Sequence, residues 1–326
     1  MRVLVTGATG FVGSNLALAL AERGDRVRVL RRSTSRLEAL EGIPVEHYTG
    51  DLLDPDSLAE AFRGCEGVFH AAAISQYWRS ERQTIYQVNV TGTRNVVEAA
   101  LRAGVERVVH ISSVAALGYP PRGTLADESQ EFPPAQSWFA YGHSKYLAEA
   151  EVHRAVAQGL PAVIVIPGIV IGPRDVNFVS GSLVRASARG QLRIVPPGGS
   201  NLVHVGDVVA GALAAAERGR VGERYILGGE NLSHWEAARI LAGVTGGPGP
   251  RLMLPGWLLP LLARLVDALN RLSPRPPLVS GEQIRLGAET FYVDNRKAVR
   301  ELGLPGTPFR QAAADAYGWY REHNLL

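Results

Sequence analysis

The stretch Val3-Leu-Val-Thr-Gly-Ala-Thr-Gly-Phe-Val-Gly13 leaves this chain few ways to fold. A short apolar run is followed by glycines at 7, 10 and 13, and then by apolar Val12, Leu16, Ala19 and Leu20 at helical spacing. That reads as a strand, a tight turn and the start of a helix. Gly7 lets the chain turn without a Cβ penalty, Gly10 lets backbone N–H groups approach an anion, and Gly13 lets the helix pack closely on the strand. The helix N-terminus, with its unpaired N–H groups and positive dipole end, then faces a phosphate-bearing ligand. This order of glycines between strand and helix is the fingerprint of a dinucleotide-binding unit.

With 326 residues and 46% hydrophobic content the chain supports one large α/β domain and a smaller appendage. Its 34 Lys and Arg nearly cancel 31 Asp and Glu, leaving +3. A pair such as Arg31-Arg32 is too short for a nucleic-acid footprint, so no nucleic-acid partner is expected. The single cysteine, Cys65, excludes an internal disulfide framework and predicts a buried, inert thiol in a reducing cytoplasm. Met1-Arg-Val-Leu enters the first strand directly, without the charged and apolar regions of a signal peptide. The most apolar later run, Leu252 to Ala263, is broken by Pro255 and Pro260 and falls short of the ~20 residues of a spanning helix. A buried lid or core is expected for it, with a dimer contact or a membrane-touching helix as alternatives. No metal-ligand set is assigned.

Along the chain, Arg26 to Leu30 reads as a second strand, and the next positions are where such a unit presents a group to the adenosine ribose. An acid there would bind both ribose hydroxyls of NAD; Arg31 and Arg32, with Ser33 and Ser35 as added donors, instead match a 2′-phosphate. NADP(H) is therefore preferred, with NAD(H) as the alternative. Val45 to Asp51 is a third strand, whose Asp51 either accepts from the adenine amino group or serves as a turn or cap residue. Val68 to Ala73 is a fourth, with Ala71, Ala72 and Ala73 small enough for the cofactor to pass close to backbone, and His70 a core histidine. A long helix over Glu81 to Ala103 contains Asn89. A fifth strand, Val105 to Ile111, runs into Ser112 and Ser113, and a long Pro- and Gly-rich loop leads to a helix headed by Tyr141 and Lys145. Pro161 to Ile166 is a sixth strand, after which the backbone of Pro167, Gly168, Ile169 and Val170 is placed to line the nicotinamide. A helix over Phe178 to Arg189, short strands near Leu192 to Val195 and Asn201 to Val205, a helix over Val208 to Glu217 and the strand Arg224 to Leu227 precede a helical, Pro-punctuated tail. The fold class is thus α/β, a doubly wound parallel sheet over 1–166 with a smaller, mostly C-terminal substrate region over 167–326, of which 201–228 returns to the first domain.

Tyr141 and Lys145 lie one helical turn apart and share a face, after a serine at a strand end. Together they form an acid–base device for moving a proton to or from an oxygen beside a hydride acceptor. A free tyrosine titrates near ~10, so a nearby ammonium that favours phenolate is expected to bring Tyr141 closer to neutrality.

These residues resemble the short-chain dehydrogenase/reductase superfamily in its extended, NAD-dependent epimerase/dehydratase-like branch, over essentially the whole chain. The resemblance implies a Rossmann domain in which Gly7, Thr9, Gly10, Phe11, Val12 and Gly13 form the cofactor loop. It also implies that Asp51 and Leu52 meet adenine, Ala71 to Ala73 flank the phosphates, Ser112 borders the cofactor, Asn89 supports the active site, and Ser113, Tyr141 and Lys145 are the triad. Val27 to Arg32, Asn201 to Asp207 and Glu223 to Glu230 are most similar to dihydroflavonol reductase-like and hopanoid-associated sugar-epimerase-like proteins. Two departures from sugar-nucleotide epimerases stand out. Ser200 occupies the place of the arginine that clamps the diphosphate, and Ile166-Pro167 stands where Arg-Pro is usual; Arg285 lies near a second family arginine position, out of register.

Aromatic residues gather where pocket walls are expected: Tyr77, Trp78, Trp138 and Phe139, with Trp257, Leu258 and Leu259 from the tail. The expected activity is NADP(H)-dependent reduction of a largely apolar ketone or aldehyde, or oxidation of the matching alcohol. The alternatives are an NAD-dependent nucleotide-sugar epimerase or dehydratase and a cofactor-binding regulatory protein without turnover. The resemblance further implies a homodimer built on the helices around 81–103 and 137–157.

Overall fold

A computed structural model describes residues 1–75, 80–121, 123–272 and 280–326. Its strands are β1 (Arg2–Thr6), β2 (Arg26–Arg31), β3 (Glu46–Thr49), β4 (Gly67–His70), β5 (Arg107–Ile111), β6 (Ala162–Pro167), β7 (Ile169–Ile171), β8 (Ile194–Val195), β9 (Gly199–His204), β10 (Arg224–Leu227), β11 (Glu230–Ser233), β12 (Leu252–Met253) and β13 (Thr290–Phe291). Seven of them form one parallel sheet in the order β10-β6-β5-β4-β1-β2-β3. The order reverses after β1, so the carboxyl ends of β1 and β4 border the crevice where open α/β sheets take ligands.

The central strands β1, β5 and β6 are largely apolar because both faces are covered, whereas the edge strand β3 is mostly exposed. Val3 and Val5 of β1 point to one face, where Leu16 and Leu20 of α1 (Phe11–Glu22) meet them. Leu4 points to the other, beside Leu58 of α2 (Pro55–Phe62). Asp54 opens α2 by accepting the Asp56 and Ser57 N–H groups, with Pro55 at the first helical position.

The long helix expected over 81–103 is a helical run in three parts: α3 (Arg82–Tyr86), a π-helical turn over Gln87–Thr91, and α4 (Gly92–Ala103). Asn89 stands at the middle of this π-helical turn and is buried. α5 (Ala140–Ala157) follows the long loop and packs on α4.

Beyond β6 the chain builds a second layer. β9 pairs with β7 and β13 in parallel and with β11 antiparallel, so the tail contributes strands as well as helices. The first helix of this region is α6 (Ser182–Ala188), shorter than expected. Asp175 accepts the Val179, Ser180 and Gly181 N–H groups, and Phe178 sits at φ 50°, which rules out helix at its predicted start. α7 (Val205–Arg218) returns to the large sheet, where Val208 and Ala212 join the same core as Val5. After it come α8 (His234–Thr245), α9 (Leu259–Leu272) and α10 (Gly281–Leu286).

The run Leu252 to Ala263 is not the buried lid or core expected of it. Leu259 and Ala263 are buried, but Leu252, Met253, Trp257 and Leu261 are exposed. Cys65 is buried as expected, and burial pushes its thiol up.

Candidate active site

The glycine turn is as tight as its sequence requires. Gly7 has φ 73°, and a Cβ there would stand 2.5 Å from the Ala72 nitrogen. A Cβ on Gly13 would overlap the Gly7 carbonyl, so Gly13 packs on the turn itself and not on the strand. The Gly10 N–H closes the turn onto the Gly7 carbonyl at 2.9 Å. No acid lies in the first turn of α1 and no side chain caps it, which leaves its N-terminus suited to an anion. Thr9 and Val12 are half-buried beside it and Phe11 is buried. Across the crevice the Ala71 N–H donates to the Thr6 carbonyl at 3.1 Å, holding the segment Ala71 to Ala73 against the turn.

At the end of β2 the Arg31 Nε is buried without a hydrogen-bond partner, and Arg32 is exposed. The Arg32 N–H donates to Ser35 Oγ at 3.1 Å and the Ser35 N–H to the Arg32 carbonyl at 3.0 Å, so the two arginines head a compact turn. Asp51 spends one carboxylate oxygen on the Leu53 N–H at 2.9 Å, which is the turn role weighed for it. Leu52 is buried against Gly92.

The expected catalytic residues meet at the carboxyl ends of β4 and β5. Tyr141, in the first turn of α5, is half-buried, with its hydroxyl on the Ser113 hydroxyl. Ser113 also accepts the Ala115 N–H at 3.2 Å, which fixes its side chain at the end of β5. Asn89 ties the neighbourhood together. Its Oδ1 accepts the Ile74 N–H at 2.8 Å and its Nδ2 donates to Ser144 Oγ at 2.9 Å, while Ser144 donates to the Tyr141 carbonyl at 2.8 Å. Pro167 ends β6, the Gly168 N–H donates to Leu227 at 3.3 Å, and Ile169 and Val170 enter β7.

Electrostatics here differ from the sequence expectation. Burial pushes the Tyr141 phenol above its ordinary range, with the Ser113 hydrogen bond opposing it. Lys145 does not lower it; the ammonium donates to the Ile111 carbonyl at 2.8 Å and is itself pulled down to about 8 by burial. Glu149, one turn further along α5, opposes that fall. Its carboxylate accepts from Ser112 Oγ and pairs with Arg224 Nε at 3.0 Å, with both side chains nearly buried. The Ser112 hydroxyl is thus committed to Glu149 and leaves only backbone for a cofactor. Sequence reading missed Glu149 and Arg224, although the Lys145/Glu149 spacing was visible in the chain.

Behind Lys145, His70 is a core histidine as expected. Its ring bonds the hydroxyls of Thr6 at 2.7 Å and Thr93 at 2.9 Å, and burial brings its pKa down to about 3. His110 lies 5.2 Å away, centroid to centroid, and is lowered by the same cause. Their unfolded-state pKa is near ~6.5, so the unfolded chain binds more protons at every pH between that value and the folded pKa. Stability should be full above pH ~6.5 and decline as the pH falls towards 5, with protons taken up on unfolding. Denaturant titrations at stepped pH test this; a flat profile over that window would show that the rings are not held neutral.

The mouth of the site is aromatic. Phe139 lies 6.2 Å from Tyr141 and 6.4 Å from Phe291, which is 5.8 Å from Tyr119, and half-buried Trp138 lies 6.4 Å from Phe139. Arg285 stands 5.8 Å from the Trp138 ring but is paired with Asp267 at 3.3 Å. Arg82 is spent on the Ser137 and Trp138 carbonyls at 2.7 and 3.2 Å. Between these cations Glu282 accepts the Ala140 N–H, and burial pushes its carboxyl up to about 7. Of the expected walls, Trp257 is 78% exposed and does not close the pocket, Leu258 is half-buried and Leu259 is buried. Tyr77 and Trp78 lie outside the described residues.

The profile of the NAD dependent epimerase/dehydratase family matches residues 3–228, which carry the glycine turn, Ser113, Tyr141 and Lys145. The chain belongs to this family. It is an NAD(P)-dependent enzyme of the extended short-chain dehydrogenase/reductase class, as its relatives are. A Synechocystis sp. protein bearing a dihydroflavonol 4-reductase name is 41% identical over 99% of this chain and 95% of its own. Sterol demethylase protein B of Methylococcus capsulatus is 38% identical over the whole of both chains. Among solved structures, gox2253 superposes with a TM-score of 0.87 at 40% identity, covering 100% of this chain and 99% of its own.

Proposed function

We propose that this family member is an NADP(H)-dependent reductase of a largely apolar ketone or aldehyde, reversible to the alcohol. The observation that carries the reading is the Tyr141 phenol on the Ser113 hydroxyl at the end of β5; a phenol, with an ordinary pKa of ~10 that burial here raises, keeps its proton at neutral pH. A protonated phenol is the acid that carbonyl reduction needs. The glycine turn and the start of α1 would hold a cofactor pyrophosphate, the segment Ala71 to Ala73 would border it, and Arg31 and Arg32 would meet a 2′-phosphate. Bound NADPH supplies the hydride. Ser113 orients the substrate oxygen, Tyr141 gives it a proton, Lys145, on the same face of α5, holds the end of β5 through the Ile111 carbonyl, and Asn89 fixes the first turn of α5 that carries the tyrosine. The reductase name of the Synechocystis relative and the sterol name of the Methylococcus one agree with an apolar carbonyl substrate. We also propose a homodimer formed through α4 and α5, with a cytoplasmic location.

Nucleotide-sugar epimerisation is the second reading, favoured by the family itself. A diphosphate needs charge-assisted partners to offset its desolvation. Ser200 is buried within β9, while Arg285 and Arg82 are already engaged, and Glu282 adds a carboxyl to the same mouth. An apolar carbonyl needs only area and one oriented oxygen.

The cofactor assignment predicts tighter binding of NADPH than NADH. A charge-assisted contact to phosphate contributes about 1.5–3 kcal/mol, so replacing both Arg31 and Arg32 with Ala should narrow the gap by about tenfold or more. Fluorescence titration of the two reduced cofactors measures it, and equal dissociation constants in the unaltered protein would refute the preference.

A further inference from the structure

Trp257, Leu261, Leu265, Leu269 and Leu272 follow one another at three- and four-residue steps and form one stripe along α9 and the turn before it. All five are exposed, Leu272 to 84%. The stripe is not an unfilled side of the core, because α9 already has a packed inner face. Leu259 and Ala263 are buried, and Asp267 holds α10 through the Gly281 N–H at 2.8 Å and Arg285. β12 leads into this stripe and pairs with β8, bringing exposed Leu252 and Met253 beside exposed Ile194. Patches of this extent on a surface mark an interaction site.

Charge selects the partner. Arg193 and Arg251, which flank the β8/β12 pair, and Arg264 on α9 are exposed and form no ion pair among the described residues. The only acid of the segment 250–272 is Asp267, already committed to α10. A second copy of the chain docked isologously on this face would set like charges against one another. A bilayer with anionic headgroups matches both parts, acyl chains for the leucines and headgroups for the arginines.

We propose that the α9 stripe is the surface by which this protein docks on an anionic lipid bilayer, with α9 lying in the interface plane. Trp257 to Leu272 extends about 22 Å at 1.5 Å per residue, enough to rest along a membrane. No described helix is long and apolar enough to cross one. α10 links the stripe to the site, since it holds Asp267 on one side and carries Glu282 and Arg285 beside Trp138 and Ala140 on the other. A docked molecule would thus have its aromatic mouth close to the lipid. The docking stands on exposure and charge alone; only the delivery of an apolar substrate from the bilayer rests on the reductase reading.

The test is flotation of the full chain with vesicles of phosphatidylcholine, with and without phosphatidylglycerol, at low and high salt. The protein should float with the anionic vesicles and less so as salt is raised. The triple variant Leu261→Gln, Leu265→Gln, Leu269→Gln should lose at least about tenfold in vesicle partitioning, since each leucine gives up its burial in lipid. Its turnover of a water-soluble carbonyl should be unchanged, which separates this proposal from the reductase reading. Failure of the unaltered protein to float with anionic vesicles, or equal flotation of the triple variant, would overturn it. So would light scattering that shows a dimer of the unaltered chain reduced to a monomer by the three substitutions, since the stripe would then belong to a second copy.

Discussion

Tyr141→Phe should lower turnover by about 10²–10⁴-fold, the contribution of a general acid–base group, and leave cofactor affinity nearly intact. The substitution removes one oxygen. The ring keeps its place at the head of α5, where Phe139 packs beside it and the Tyr141 carbonyl still receives Ser144. What disappears is the phenolic proton and the partner of Ser113. Steady-state rates of the variant, alongside a cofactor titration, check both halves of the expectation. Retention of more than about a tenth of the turnover would remove Tyr141 from the chemistry.

Glu149→Ala should destabilise the fold by about 3–5 kcal/mol, because it leaves the Arg224 guanidinium buried without its carboxylate. Arg224 cannot retreat to solvent, since its Nη1 donates to the Glu128 and Gln130 carbonyls at 3.0 Å each, and β10 fixes its backbone at the sheet edge. Ser112 loses its acceptor in the same step. Lys145 would also lose the charge that opposes its depression to about 8, so its pKa should fall further and the acid limb of its ionisation move to lower pH. Denaturant unfolding measures the first effect. Glu149→Gln, which keeps the shape and removes the charge, should show the same direction in the Lys145 titration. A variant as stable as the unaltered protein would mean that water reaches Arg224.

Much of the fold was legible because one physical pattern governs it. Strands buried on both faces read as apolar runs, and Val3 to Val5 and Ala162 to Ile166 are such runs, while Val108 to Ile111 is interrupted only by His110. The turn at Gly7 was legible too, since a left-handed residue in van der Waals contact with Ala72 admits only glycine. The π-helical turn at Asn89 was not. It carries Asn89, whose side-chain partners, Ile74 and Ser144, are distant in sequence. The same holds for the site. Tyr141 and Lys145 announce themselves by their spacing, but the direction in which burial moves the phenol depends on how completely the surrounding loops cover it. Glu149 followed Lys145 at the same four-residue step. Its partner Arg224 comes from the far edge of the sheet, and that pairing gives the carboxylate its meaning. The exposed side of α9 was unreadable for a related reason: an amphipathic leucine pattern does not say whether protein or lipid covers it.

The central claim is that an apolar carbonyl compound is reduced with the hydride of NADPH and the proton of Tyr141, and steady-state NADPH oxidation with a panel of apolar ketones and aldehydes tests it most directly. The account predicts sustained consumption over many turnovers, with one alcohol formed for each NADPH oxidised. No consumption above the carbonyl-free control, with NAD retained in the isolated protein and micromolar binding of a UDP-hexose, would contradict it and assign the site to nucleotide-sugar epimerisation.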